Sequence, residues 1–251
     1  MRVLPANARR HFRRGPFEIH RVYPGLAFSD SPFSGDSRDT GIAGLGCFDH
    51  AHLEQGLIVP MHEHRNDEIV SYLRSGQMLH EDSHGAGATL TPTHLMGMNA
   101  GSGFWHEESV PVGQVEMLQI FIRPSEAELP PELQFADLDE SERIGGWRLV
   151  AGPREDLPPL RVRQQVRLLD TQLPVGGSLS VELDEPFDTA FLYVFAGAIQ
   201  IDGRALRVGD AAVWTADELL PAILSDASPA DLVLFQIDSS SAYSRSGTIS
   251  G

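Results

Sequence analysis

The chain has 251 residues, 41% of them hydrophobic and 22% charged, the composition of a soluble globular protein long enough for one large or two ordinary domains. Its formal net charge of −16 argues against a direct nucleic-acid partner, because phosphate binding needs clustered Lys and Arg. A single cysteine, Cys47, excludes an intrachain disulfide and a thiolate zinc cage, and no apolar run reaches the roughly eighteen residues of a membrane helix.

The amino-terminal arm carries Arg2, Arg9, Arg10, Arg13 and Arg14 with no apolar segment behind them. That pattern is a solvated or self-paired arm, not a secretory signal, and with the lone cysteine it makes a reducing, cytoplasmic setting the expectation. Cys47 itself reads as a small buried apolar residue. His50-x-His52 sits ahead of the Gly56 turn with no answering pair, and is taken as a packing or surface pair.

Beyond it the apolar runs are short, β-branched or aromatic, and bounded by Gly, Pro, Asn and Asp, which predicts strands. Examples are Ile69 to Leu73, Val115 to Ile122, Phe191 to Phe195 and Leu232 to Ile237. Closely spaced short strands predict a sandwich or barrel. The proline-rich, acidic stretch from Pro124 to Arg143 marks an interdomain connection with room for one short helix. Ser239 to Gly251, rich in Ser and Gly, is expected to be poorly ordered. Ile69 to Gly76 can be laid on Ala190 to Gly197, matching a Tyr and a Gly, so the two halves are versions of one unit. That register puts Leu183 and Glu185 where His62 and His64 stand in the first half. All ten histidines lie at or before His106, so the second half cannot repeat a histidine site.

The chemistry is concentrated in two stretches, Met61 to Glu68 and Trp105 to Glu108. In a strand, side chains i and i+2 share a face, so His62 pairs with His64 and His106 with Glu108. If the two strands face each other across a barrel, three imidazoles and a carboxylate meet. Such ligands suit iron, manganese, nickel, copper or zinc and leave a position open. His80, His84 and His94 lie in or near polar turns and read as exposed. Glu63 and Glu107 alternate outward. Trp105, Phe104, Met61, Met96 and Met98 flank the site as core or as an apolar lining, and Trp147 and Trp214 read as packing in the second half.

The spacing G-x5-H-x-H-x3-E-x7-G from Gly56 to Gly76 is close to the first cupin motif. Together with the run Asn99 to Pro111 (NAGSGFWHEESVP), it resembles the pirin family. The resemblance is strong over about Gly56 to Pro111 and fainter beyond. It implies an all-β bicupin, two double-stranded β-helix (jelly-roll) barrels in one chain, with 1–135 as the metal-bearing cupin domain and 136–251 as a second one without ligands. It implies His62, His64, His106 and Glu108 as metal ligands, and ranks Glu108 over Glu68, which supplies the carboxylate in other cupins. The implied cofactor is one divalent transition metal, Fe(II) first, with Ni, Mn, Cu or Zn as alternatives. The implied activity is metal-dependent dioxygenation of a flavonol such as quercetin or a related small aromatic, with Glu108 as catalytic base and dioxygen as cosubstrate. The alternative is a non-enzymatic, metal-bearing module that binds a protein partner, with no membrane contact in either case. Departures from the family pattern are Glu63 for Pro, Asn66-Asp67 for Gly-Phe, Thr93-His94 for Gly-Asp, and Gly97 for a frequent Trp, the last bearing on pocket shape.

Overall fold

The computed structural model describes residues 1–28, 39–218 and 222–251. The chain forms two β-barrels, each a seven-stranded sheet closed against a four-stranded one. In the first barrel the large sheet runs, in spatial order, Glu132–Asp137, His94–Asn99, Glu68–Ser75, Gln114–Ile122, Leu45–Glu54, Phe17–Val22 and Arg10–Arg14. Its small sheet is Leu57–His64, Phe104–Val110, Met78–Asp82 and Gly87–Leu90. The second barrel repeats the plan. Its large sheet is Arg2–Leu4, Ala211–Thr215, Thr189–Ala196, Ala230–Ile237, Val166–Leu173, Arg148–Gly152 and Leu160–Arg161, and its small sheet Ser178–Leu179, Ile223–Ser225, Ala198–Ile201 and Arg204–Arg207. The described residues contain no α-helix. The proline-rich connection holds a single 3-10 turn, Glu140–Arg143, capped by the Asp139 side chain on Ser141 N. No described helix is long and apolar enough to cross a membrane.

The two large sheets pack face to face. Their central strands are therefore covered on both sides, which is why Glu68–Ser75 and Thr189–Ala196 are buried almost throughout and not alternately. Phe48 from the first sheet lies 6.1 Å from Phe191, 5.0 Å from Tyr193 and 5.3 Å from Phe235, ring centre to ring centre. The matched tyrosines bridge this interface in opposite senses. Tyr72 OH donates to Asp170 Oδ2 at 2.6 Å in the second barrel, and Tyr193 OH meets His50 Nδ1 at 2.8 Å in the first. The matched glycines also share one physical reason. Gly76 and Gly197 both have φ near +80°, and a Cβ would stand 1.9 Å from Gln114 O or 2.4 Å from Pro229 O.

The ends of the chain cross between barrels. Arg2–Leu4 adds an edge to the second sheet against Ala211–Thr215. The stretch from Ser244 to Ser250, expected to be loose, instead returns to the first barrel, where Ser250 is 2% exposed. Its backbone finds partners that composition does not reveal. The interior of the second barrel is filled by Leu192, Val194, Ile199, Ile201, Leu206 and Trp214, and Leu183 packs against that apolar cluster. An apolar fill stands where the first barrel gathers imidazoles.

Candidate metal centre

His62 and His64 end the strand Leu57–His64, and His106 lies directly opposite His62 on the neighbouring strand Phe104–Val110. The two strands are thus hydrogen-bonded partners in one sheet, not opposite walls of the barrel as the sequence suggested. Adjacent strands bring side chains on one face closer than opposite walls do. A bulge between His106 and Glu108 shifts the register, so that Glu108 faces Val59 on one side and His80 on the other. The ring centres are 4.5 Å apart for His62 and His106, 4.9 Å for His62 and His64, and 5.2 Å for His64 and His106. His64 and His106 are buried, and His62 is half-buried at the open side.

Every Nδ1 in this trio is engaged from behind. His62 Nδ1 donates to Pro60 O at 2.9 Å, and His64 Nδ1 to Asp67 Oδ2 at 3.3 Å. His106 Nδ1 stands 3.3 Å from His80 Nδ1 and 3.9 Å from Glu108 Oε1. With the proton on Nδ1, each Nε2 presents a lone pair. The Nε2 atoms of His62 and His64 face each other at 3.1 Å, and His106 Nε2 is buried with no hydrogen-bond partner. Ligand nitrogens of all three rings lie within 4.8 Å of one another. Two nitrogens bound about 2.1 Å from one ion stand roughly 3.0–3.4 Å apart, a spacing that the His62–His64 pair already has, with the His106 ligand nitrogen within 4.8 Å of both. Burial, then the neighbouring His62, His64 and His80, pushes the His106 imidazole down to about 2, and burial also lowers His62. Both are held neutral, as a ligand must be.

Glu108 is close to the trio without belonging to its tightest grouping; its carboxylate groups with His80 and His106. Burial raises it to about 7 against the opposing pull of His64 and a hydrogen bond from Gln119, and its Oε1 has no hydrogen-bond partner. Glu68 lies elsewhere. It accepts from the Arg163 backbone N at 2.7 Å in the second half of the chain and shares no grouping with the three histidines.

His80, expected to be exposed, is fully buried on the strand Met78–Asp82, opposite Glu108. It is the polar residue behind His106 that sequence reading missed. The available signal was the i, i+2 spacing, which puts His80 on the same strand face as the apolar Met78. Asp67 is the second missed residue, with no exposure and His64 in its reach. Asn66 replaces Gly at φ +57°, a left-handed position that Asn tolerates, and its side chain pairs with Glu128. At Gly97 a Cβ would meet Leu160 of the second barrel at 3.5 Å, so the missing side chain concerns packing between barrels, not the metal site. Trp105, 46% exposed, lies on the strand face opposite His106 and does not line the centre. Other groupings are peripheral. His50 and His52 do have an answering residue, Glu116, and in His11, Glu18 and His20 the carboxylate is already paired with Arg13 at 3.2 Å.

The fold and site together define a two-barrel cupin with one histidine centre. Residues 39–122 match the family described as Pirin, and 149–237 match the one described as Quercetinase C-terminal cupin domain. The chain belongs to the pirin family. A putative quercetin 2,3-dioxygenase of Zymomonas mobilis is 30% identical over 61% of this chain and 65% of its own length, so the match leaves about a third of that relative unspanned. The quercetin 2,3-dioxygenase of Escherichia coli K12 is 26% identical over 92% of this chain and 96% of its own. Among solved structures, YhhW from Escherichia coli superposes with a TM-score of 0.79 at 24% identity, covering 94% of this chain and 96% of that one. The nickel(II) complex of the same bacterial pirin gives 0.78 at 23% identity, covering 94% and 98%.

Proposed function

We propose that the protein is a metal-dependent dioxygenase of the pirin type that cleaves a flavonol such as quercetin, or a related small aromatic. The observation that carries the reading is the convergence of three imidazoles, two held by acceptors behind their rings and the third by His80, beside a largely buried carboxylate. His62, His64 and His106 hold one divalent transition metal and Glu108 completes the set. Fe(II) is the first candidate, and the nickel in the bacterial relative keeps nickel among the alternatives. A divalent ion bound in this set acts as a Lewis acid that lowers the pKa of a coordinated hydroxyl.

The chain's own residues do the rest. Pro60 O, Asp67 and His80 fix the three rings, so that little reorganisation is needed when substrate arrives. The half-buried edge at His62 is the side from which a planar substrate reaches the centre. Glu108, with one oxygen free of hydrogen bonds, accepts the proton of the flavonol hydroxyl. Dioxygen adds to the deprotonated ring, two carbon–carbon bonds break, and the excised carbon leaves as carbon monoxide. Names of relatives at 26% and 30% identity support the same substrate class.

The test is anaerobic mixing of metal-loaded protein with quercetin, followed by admission of oxygen. A red-shifted flavonol band and then oxygen uptake are expected. Absence of both the shift and the oxygen uptake, in protein verified to hold metal, refutes the activity.

A further inference from the structure

The segment Ser244–Ser250 comes from the end of the second barrel's last strand, yet it closes on the first barrel's metal centre. Thr248 N donates to Arg65 O at 3.0 Å, and Arg65 N donates to Thr248 Oγ1 at 2.8 Å. Arg123, itself held by Asp39, donates through Nε to Ser250 O at 2.8 Å. The Ile249 side chain packs on the small cluster of Cys47, Ile69, Met98, Phe104 and Phe121. Gly46 makes the seat: a Cβ there would stand 2.7 Å from Ser250 O.

All of this converges on one carboxylate. Asp67 has no exposure, and its oxygens accept from Ile249 N at 3.1 Å, Ser250 N at 2.9 Å and Ser250 Oγ at 2.7 Å. Its remaining partner is His64 Nδ1. The His64 ring also rests on Phe121, 6.1 Å between centres, and Ile249 packs against the same phenylalanine. If the segment lifts away, three of these four donors leave, water reaches Asp67, and the carboxylate is no longer fixed behind His64.

We propose that Ser250 and Asp67 are positioning residues for the metal centre, and that docking of Ser244–Ser250 is thermodynamically coupled to metal binding at His64. The inference rests on the reading of the histidine trio as a metal site. Coupling is reciprocal: a segment that tightens the ion must be tightened by the ion. Most of Ser239 to Ser246 is exposed and polar, and it is anchored separately, by Gln164 on Ala242 O at 3.1 Å, Tyr243 OH on Asp39 at 3.0 Å and Ser244 N on Pro124 O at 2.8 Å, so lifting of the Thr248–Ser250 seat can be a local event.

The chain supplies its own reporter. Cys47 is its sole thiol, 1% exposed, with Sγ 3.8 Å from Ile249 O. Iodoacetamide reaches it when the segment lifts. The experiment compares the Cys47 labelling rate in metal-free and Ni2+-loaded full-length protein, without denaturant and in low urea, where a local opening shows little urea dependence. It then measures Ni2+ affinity by chelator competition for wild type, Ser250→Ala and Asp67→Asn. Expected are slower labelling with Ni2+, faster labelling in Ser250→Ala, and Ni2+ affinity about 10-fold to 100-fold weaker in both variants. Labelling that is indifferent to Ni2+ overturns the coupling, and that comparison needs no variant to fold. Faster labelling in Ser250→Ala with undiminished Ni2+ affinity overturns it too. Wild type that binds no Ni2+ at all instead removes the metal reading beneath it.

Discussion

Glu68→Gln separates the two carboxylates between which the sequence left a choice. Glu68 is 2% exposed, accepts one backbone hydrogen bond from Arg163, and leaves Oε1 unpartnered. Burial raises its carboxyl from an ordinary 4.5 to about 7, with the Arg163 backbone and charge pulling the other way. A group whose folded value is raised stabilises the fold fully below the unfolded value, and that contribution is lost as pH rises through the folded one. At about 1.4 kcal/mol per unit the whole loss is about 3 kcal/mol, of which about a quarter has gone by about pH 5. Glutamine matches the protonated acid in shape and in hydrogen bonding but cannot ionise. Its stability relative to wild type is therefore expected to grow by about 2–3 kcal/mol between about pH 5 and pH 8.5, read from urea midpoints of metal-free protein. Metal content of the loaded variant should equal that of wild type. A flat difference across this pH range refutes the burial argument, and lost metal refutes the placement of Glu68 outside the centre.

Two further substitutions probe the frame around the site. Asp170 is fully buried, accepts from Arg148 at 3.0 and 2.7 Å and from Tyr72 OH at 2.6 Å, and forms an ion pair with Arg143 Nε at 3.2 Å. Asp170→Ala takes away the one fully buried carboxylate of Arg148 and Arg143, leaving them the more exposed Glu140 and Asp231, and a loss of about 3–5 kcal/mol, roughly 10 °C in thermal midpoint, is expected from calorimetry. A shift below a few degrees would mean that water or other carboxylates take over. His80→Phe removes the polar partner of His106 Nδ1 while keeping a ring in its place, and chelator competition should show metal affinity down by about 10-fold to 100-fold with the fold intact. Unchanged affinity would leave His80 as mere filling.

Short β-branched runs bounded by Gly and Pro made an all-β sandwich or barrel legible, the two-cupin architecture came from the resemblance to the pirin family, and the match of Gly76 to Gly197 survives as a shared steric demand. The histidine trio was also legible, because His-x-His on a strand shares a face whatever lies opposite. Its partner strand was misplaced: face sharing does not say whether two strands pair or oppose. His80 was hidden because a short strand between polar turns resembles an exposed loop. The Ser244–Ser250 seat was hidden for a different reason. Its donors are mostly backbone N–H groups, which every residue carries and which no composition betrays. Asp67 accordingly entered the sequence reading only as a departure from the family pattern.

Elemental analysis of protein purified without added metal, set beside His106→Ala prepared identically, bears most directly on the centre itself. The account predicts about one divalent transition ion per wild-type chain, and loss of that ion from a variant that still unfolds cooperatively. Wild type that stays metal-free even after anaerobic exposure to excess Fe(II) or Ni(II), or His106→Ala that retains its full complement, would contradict it.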